Sequence, residues 1–410
     1  MKTTTQVFEK LEGSNYFRLK IAYSLLLNRP IEITNIRDTS VTPGLTQYEI
    51  SFLKLISEIT NGTIININRT GTSLKFTPGT ITNKYGDEFT FETDKSRGIT
   101  YYAEGLIPIS LFGKESLLIN LEGITNNDID NSVDSFKSST CSLLQKLVVG
   151  DTVIFDIKRR GVAPNGKGLV KFKCPIITNL APFDWLDEGK IKRVRGVAFT
   201  SKISSTFATR MISKSRGILN NFLPDVWIGV DSFKDKNLEN ISSGYGLSLT
   251  AETKKGFFIS SDAINKDDST PEDLAQRCTM KFLNEIYSSG VVNVNNQGLF
   301  LFLMALSEKN YVSQMKIGKL TNHSKGVLTL INKLLGVKFS IREMTEYDQD
   351  NSDEDNNEEE KEEENEEENE DEEMEEEDNN NNSEEPIPFK QYIFSCVGIG
   401  LKNVARIELS

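Results

Sequence analysis

The feature that most constrains this chain of 410 residues is a tract that no fold can absorb. Between Asp348 and Glu385 stand 24 acidic residues and one basic residue, Lys361. Like charges at that density, with almost no apolar side chains among them, cannot bury a core. Residues 346–385 are therefore expected to form a disordered acidic loop. The strand-like GVKFSIREM precedes the tract and QYIFSCVGIGL follows it, so the two flanks are expected to pair as strands with the acid looped out between them. Closure entropy grows slowly with loop length, which makes such an insertion tolerable. The tract is either a solubilising spacer or a competitor for a basic face. It also hides the sign of the body: the chain carries −13 overall, yet the other 372 residues hold 46 Lys and Arg against 36 Asp and Glu, or +10. From Lys158 to Arg216 fourteen basic residues face three acidic ones. Such clustering fits a polyanion-binding surface and equally a solvated face.

An apolar content of 37% with 9% aromatics is enough for a real core, and the length suits two domains or one large domain with an insertion. The amino terminus has no apolar stretch that would suit a signal peptide, and no apolar run is long enough to span a membrane. Cys141, Cys174, Cys278 and Cys396 lie far apart. With one histidine they give no metal set, and they read as buried thiols of a reducing compartment. Strands are expected at IEITNIR, TIININ, SLKFTP, SLLINLEGI, TVIFDIKR, GLVKFKCP, KRVRGVAF, YGLSLTAE and GFFISSD, from alternation and β-branched content. Helices are expected over Asn15–Leu27, Gln47–Thr60, Ser132–Leu147, Thr206–Phe222, Pro271–Tyr287 and Asn322–Leu335. The fifth has Thr270 as N-cap, Pro271 in the first turn, and a core stripe of Leu274, Cys278, Phe282 and Ile286. The mixture is α/β (α+β) with several sheets.

Two loops suit anions. Leu11–Arg18 opens a helix, where free N–H groups favour phosphate and Arg18 adds a fork of donors, although Gly-Ser-Asn is also ordinary capping chemistry. Lys158–Val170 sets Lys158, Arg159, Arg160 and Lys167 around a turn with three glycines, which a plain hairpin does not explain. His323 is the only histidine. Its place at a predicted helix start would keep the ring neutral, though a polar residue there is more often simply surface.

The stretch RRGVAPNGKGLV resembles the signature of the RNA 3′-terminal phosphate cyclase superfamily. The segments EGSNYFRLKIAYSLL, TPGLTQYEISFLKLISEITNGT, NRTGTSLKFTPG, SRGITYYAEGLI, EGITNNDIDNSVDSFK, GKIKRVRGVAF, GYGLSLTAET, NVNNQGLFLFLMAL and FSCVGIGLKN resemble its eukaryotic ribosome-biogenesis branch. The resemblance runs from about Phe8 to Met344 and resumes at Gln391. Many matched segments in one order are far more specific than one glycine loop. It implies the RNA 3′-terminal phosphate cyclase fold: a large domain of three repeated α/β units, each with a four-stranded sheet, and a smaller inserted α/β domain. The implied limits are 1–184, 291–345 and 386–410 for the large domain and 185–290 for the insertion, with the acidic loop hanging from the third unit.

The resemblance also bears on catalysis. Cyclases activate an RNA 3′-phosphate with ATP through an adenylylated histidine, and an ungapped reading places His323 at that position. Their loop Glu-Gly-Gly-Gly-Gln is here Glu12-Gly13-Ser14-Asn15, one residue shorter. Their glycine triplet is Gly166-Lys167-Gly168, and their Asp-Gln pair is Asn296-Gln297. A lone nucleophile without its phosphate loops carries little weight, because residues that act as a unit are not additive. What the resemblance implies is a non-catalytic factor for 18S precursor rRNA processing in the nucleolar small-subunit processome. It would need no cofactor, and it would act with a small nucleolar ribonucleoprotein, precursor rRNA and a ribosome-biogenesis GTPase. Phosphates or an acidic partner would meet Arg159, Arg160, Lys167, Lys192, Arg193 and Arg195, and a remnant anion pocket would be formed by Arg18, Arg160 and His323. The alternatives are an active cyclase using His323 and, ranked lower, an endonuclease, for which the chain has no carboxylate or histidine set.

Overall fold

A computed structural model describes residues 7–223, 225–233, 242–265, 269–288, 290–344 and 390–403. The acidic loop expected over 346–385 lies outside these residues.

Three successive stretches of chain build the same motif. The first runs β1 (Glu9–Glu12), α1 (Phe17–Leu26), β2 (Ile31–Thr34), α2 (Gln47–Ile59), then β3 (Thr60–Asn61), β4 (Ile64–Ile67), β5 (Leu74–Thr77) and β6 (Thr80–Ile81). Its sheet has the order β1-β2-β5-β4, and β3 pairs with β6 in a short separate ribbon. The second runs β7 (Phe89–Glu92), α3 (Ile99–Ser110) and β8 (Leu117–Gly123). Then α4 (Val133–Ser135) continues through a π-helical stretch (Phe136–Cys141) into α5 (Ser142–Leu147), followed by β9 (Ile154–Arg159) and β10 (Gly168–Cys174). Its order is β7-β8-β10-β9. The third begins with β11 (Asp184–Trp185) and is at once interrupted by β12 (Ile191–Ser201), α6 (Thr206–Leu219), β13 (Val226–Phe233), β14 (Gly244–Thr253), β15 (Phe258–Ile264) and α7 (Pro271–Ser288). It resumes with α8 (Gln297–Leu306), β16 (Val312–Ile317), α9 (Asn322–Leu335), β17 (Ser340–Glu343) and β18 (Tyr392–Val397), in the order β11-β16-β18-β17.

In each unit the first two strands are parallel and joined through a helix, as parallel pairing requires a crossover. The last two close as an antiparallel hairpin onto the second strand. In the third unit that hairpin is β17–β18, registered Ser340↔Ser395 to Glu343↔Tyr392. The strands expected on either side of the acidic tract therefore pair with each other.

Helix α3 packs against both α1 and α8, and every residue of α8 is buried. A helix apolar on all sides belongs in the middle of a core. One continuous hydrophobic core runs through the three units. The interrupting segment has its own core, in which Val194, Ala198, Leu247 and Leu249 of the sheet β13-β12-β14-β15 meet Met211 of α6 and Leu274, Cys278 and Phe282 of α7. Trp185 is buried where the segment leaves the body, with its ring centroid 5.5 Å from Phe257 and 5.4 Å from Phe300. All four cysteines are buried free thiols. Among the described residues no helix is long and apolar enough to cross a membrane.

Candidate functional site

The starts of α1, α2, α3, α8 and α9 converge on one pocket of about 330 Å³. Helix starts present unpaired N–H groups and the positive end of the helix dipole, so the place favours negative charge. Three arginines line it: Arg18 from the first turn of α1, Arg37 beyond β2 and Arg97 just before α3.

Each arginine is already tied to a carboxylate. Arg18 donates to Glu104 at 3.0 Å and to the Tyr101 carbonyl. Arg37 donates to the Ser14 hydroxyl at 2.6 Å, to the Gly44 carbonyl at 2.9 Å and to the buried Glu49. Glu49 also accepts from the Thr46 N–H at 2.8 Å and completes the capping box of α2. Arg97 sends Nε to both oxygens of Asp130, at 2.9 and 3.0 Å. Burial would push the Asp130 carboxyl up, but the Arg97 hydrogen bonds and charge and the Gly98 N–H outweigh it and hold it below the usual range. Two guanidinium groups lie over the Tyr101 ring, that of Arg18 4.2 Å and that of Arg97 4.1 Å from its centroid, a contact that suits arginine. Burial keeps the Tyr101 hydroxyl protonated far above its ordinary value.

His323 stands at the second position of α9, whose N-cap Thr321 accepts from the Ser324 N–H at 3.0 Å. Its ring packs against Tyr16 with centroids 5.2 Å apart, and Nε2 faces Gly298 at the start of α8. Tyr16 takes the left-handed conformation, φ 57°, and its hydroxyl presses on Gly326. Desolvation lowers the imidazole pKa; Glu104 opposes this and Arg18 adds to it, so the ring is neutral near pH 7. Gln297 joins the two helix starts, donating to the Lys319 carbonyl at 2.9 Å and accepting from Ser324 Oγ at 2.7 Å. Asn296 accepts from Thr140 at 2.9 Å and donates to Ser139 at 3.0 Å.

The expected trio of Arg18, Arg160 and His323 is not formed. Arg18 and His323 line the pocket, whereas Arg160 is only 4% exposed under the inserted sheet. Its guanidinium grips Asp134 through two bonds of 2.7 Å and Asp231 through one of 2.6 Å, and lies 4.8 Å from the Phe199 ring centroid. Charge counting treats every cation of a loop as facing water, but alternation past the end of β9 turns consecutive residues to opposite sides. Arg159, on the other side, reaches Glu122 at 3.3 Å, and Lys167 approaches the same carboxylate at 3.8 Å. Lys167 follows Gly166 with both at positive φ, 66° and 71°. Beside them Gly161 is packed so closely on Gly168 that a Cβ would sit 2.1 Å from its nitrogen. The loop also donates the Asn165 N–H to Ser242 Oγ at 3.0 Å. It is a joint to the inserted sheet and lines no part of the pocket. On β12, Arg193 meets Glu252 at 2.7 Å and Arg195 meets Asp225 at 2.8 Å, while exposed Lys192 is looped out at a bulge.

Sequence reasoning missed Arg37 and Arg97. Arg37 ends the expected strand IEITNIR, and Arg97 stands second in the segment SRGITYYAEGLI just ahead of α3. A cation at the end of an expected strand was the available signal for Arg37, and no local pattern marked Arg97. Among the described residues no group of three or more His, Cys, Asp or Glu could hold a metal ion.

Comparison with known proteins agrees with the thrice-repeated motif. The family model for RNA 3′-terminal phosphate cyclase matches residues 9–341. A probable RNA 3′-terminal phosphate cyclase-like protein of Dictyostelium discoideum is 36% identical over 97% of this chain and 99% of its own length. The RNA 3′-terminal phosphate cyclase-like protein of Homo sapiens is 38% identical over 80% of this chain and 88% of its own. The rRNA processing protein rcl1 of Schizosaccharomyces pombe is 33% identical over 82% and 94%. With a family match over most of its length and relatives above 30% identity along nearly the whole fold, this chain belongs to the RNA 3′-terminal phosphate cyclase family.

Proposed function

We propose that this chain is a non-catalytic ribosome-biogenesis factor for small-subunit (18S) precursor rRNA processing. It works in the nucleolar small-subunit processome and holds RNA, a ribosome-biogenesis GTPase, or both, alongside a small nucleolar ribonucleoprotein. The observation that carries the loss of cyclase chemistry is the state of the pocket arginines. Arg18, Arg37 and Arg97 are matched by Glu104, Glu49 and Asp130, so no uncompensated guanidinium awaits a triphosphate. Lys167 adds a side chain to the glycine loop, which faces the inserted sheet. The likeness to a protein named for rRNA processing over 82% of the chain supports the biological role.

In this reading the large domain comprises 1–184, 291–345 and 386–410, and 185–290 is an inserted module with a core of its own. Binding falls to Arg159, Lys167, Lys192, Arg193 and Arg195, and Arg18 and His323 remain as relics of an anion site. The test uses the purified chain with radiolabelled ATP and, separately, with single-stranded RNA over a range of salt. The expected outcome is no covalent adenylate and RNA binding that weakens with salt, with a shallower slope after Arg193→Glu and Arg195→Glu. The second reading, an active cyclase, is favoured by the neutral His323 at a helix start. A covalent adenylate that disappears in His323→Ala would establish it in place of the first.

A further inference from the structure

The sheet β13-β12-β14-β15 has one face against α6 and α7, and its other face is only half covered. On that second face the side chains come from Arg193, Arg195, Val197 and Phe199 of β12, Trp227, Gly229 and Asp231 of β13, and Ser248, Thr250 and Glu252 of β14, as alternation and register require. The body covers the β14 side, where Ser248 meets Ser135 at 2.9 Å and Thr250 meets Ser138 at 2.6 Å. It also covers the far end, where Arg160 meets Phe199 and Asp231. What stays open is the corner carrying Arg193, Arg195, Val197, Trp227 and Gly229.

Trp227 is 62% exposed in that corner. The outer edge of its six-membered ring reaches over Gly229, where a Cβ would come within 2.8 Å of it. The ring is therefore anchored against its own strand at Gly229 and otherwise open to solvent. Arg195 is its neighbour across the parallel pairing, and Arg193 stands two residues along on the same face, roughly 6–7 Å away. Lys192 is looped out beside them. Three cations, Lys192, Arg193 and Arg195, face two carboxylates, Asp225 and Glu252. Those two pairs lie at the surface, where an ion pair is weak enough for a phosphate to compete with it.

We propose that this corner binds a single-stranded segment of RNA, with one base stacked on Trp227 and the flanking phosphates on Arg193, Arg195 and Lys192. The proposal rests on the RNA-binding arm of the function proposed above and names its site. A flat platform flanked by cations is what sequence-tolerant single-strand binding needs, because every base has a π-face and every nucleotide a charge. The acidic loop of this same chain fits the corner less well: over residues 346–385 it has one aromatic residue, Tyr347, which stands ahead of the acidic run and not within it.

The chain has two tryptophans, and the other, Trp185, is buried, so quenching of intrinsic fluorescence by bound RNA reports on Trp227. The experiment titrates the full chain with a mixed-sequence single-stranded 12-mer RNA and with the same sequence as a duplex. Wild type, Trp227→Leu, Trp227→Phe and Arg193→Glu/Arg195→Glu are compared by fluorescence quenching and by anisotropy of labelled RNA. The single strand is expected to quench wild-type fluorescence, the duplex much less. Trp227→Leu should weaken single-strand binding by about tenfold or more, and Trp227→Phe should retain most of the affinity. Undiminished affinity in Trp227→Leu together with loss in the double arginine variant overturns the stacking site and leaves the RNA-binding reading intact. Absence of RNA binding by wild type overturns both the site and that arm of the reading. Loss of GTPase capture, but not of RNA, in Trp227→Leu overturns the proposal in favour of a protein-docking corner.

Discussion

Arg160 offers the sharpest test of how the energy is divided at the junction between the body and the inserted sheet. Replacing it with Met keeps the apolar stem and removes the guanidinium that joins Asp134 on the body to Asp231 on β13. Asp134 is 8% exposed and Asp231 is 48% exposed on their side chains, so the two halves of the junction differ in weight. Stripping its partner from a buried charge costs about 3–5 kcal/mol, and the Asp134 side falls in that class. The Asp231 side is half in water and screened, worth under about 1 kcal/mol. Urea unfolding of Arg160→Met should therefore show a loss of about 3–5 kcal/mol, and Asp231→Asn a loss of about 1 kcal/mol or less. The double variant Arg160→Met/Asp134→Leu should recover most of the first loss, because it removes the stranded carboxylate along with its partner. Equal losses for Arg160→Met and Asp231→Asn, or no recovery in the double variant, would refute the assignment of the energy to the buried Arg160–Asp134 pair.

Gly326 lies inside α9, where alanine is ordinarily worth about 1 kcal/mol over glycine. A Cβ there would overlap the Tyr16 hydroxyl, so Gly326→Ala should destabilise in the wild type and stabilise in a Tyr16→Ala background, a reversal that thermal melts would reveal. Lys167→Gly relieves a left-handed backbone and should leave stability unchanged or raise it by up to about 1 kcal/mol, whereas the β-branched Lys167→Val should lower it; denaturant midpoints decide. The single imidazole should titrate by NMR below the ordinary histidine value, since burial disfavours its charged form. By the same sign, the fold loses stability as pH falls through the unfolded-state histidine value. A midpoint at or above the ordinary value would contradict the placement of His323.

Much of the element order was legible, and the failures share a cause. The stripe on α7 reads straight from the sequence: Leu274, Cys278 and Phe282 are buried and Ile286 packs at their edge. Its N-cap Thr270 receives the Asp273 N–H at 3.2 Å. Helix α8 was invisible to periodicity because LFLFLMAL is buried on every side and has no polar face to mark a period. Helix α3 carries Gly105 and Pro108 within it, both of which argue locally against a helix. Helix α1 was expected from Asn15, but Tyr16 is left-handed and the helix opens at Phe17. In the site, the sequence pointed to Arg18 and His323 and gave no means of separating Arg160, which the fold buries, from Arg159, which it leaves near the surface. The pairing of Arg37 with Glu49 and of Arg97 with Asp130 across separate elements is a product of tertiary packing, which no local pattern encodes.

The Trp185 cluster and the Arg160 grip together fix how the inserted module can move. A panel pinned at one corner swings, and a panel pinned at two does not. Aromatic packing holds the point where the module leaves the third unit, and the Arg160 bond to Asp231, the hydroxyl contacts of Ser248 and Thr250 and the Asn165 bond to Ser242 together hold it to the second. Rotation of the module must break both at once, so the two hydrophobic cores should melt in one transition and come apart as separate events only when one of the pins has been drawn.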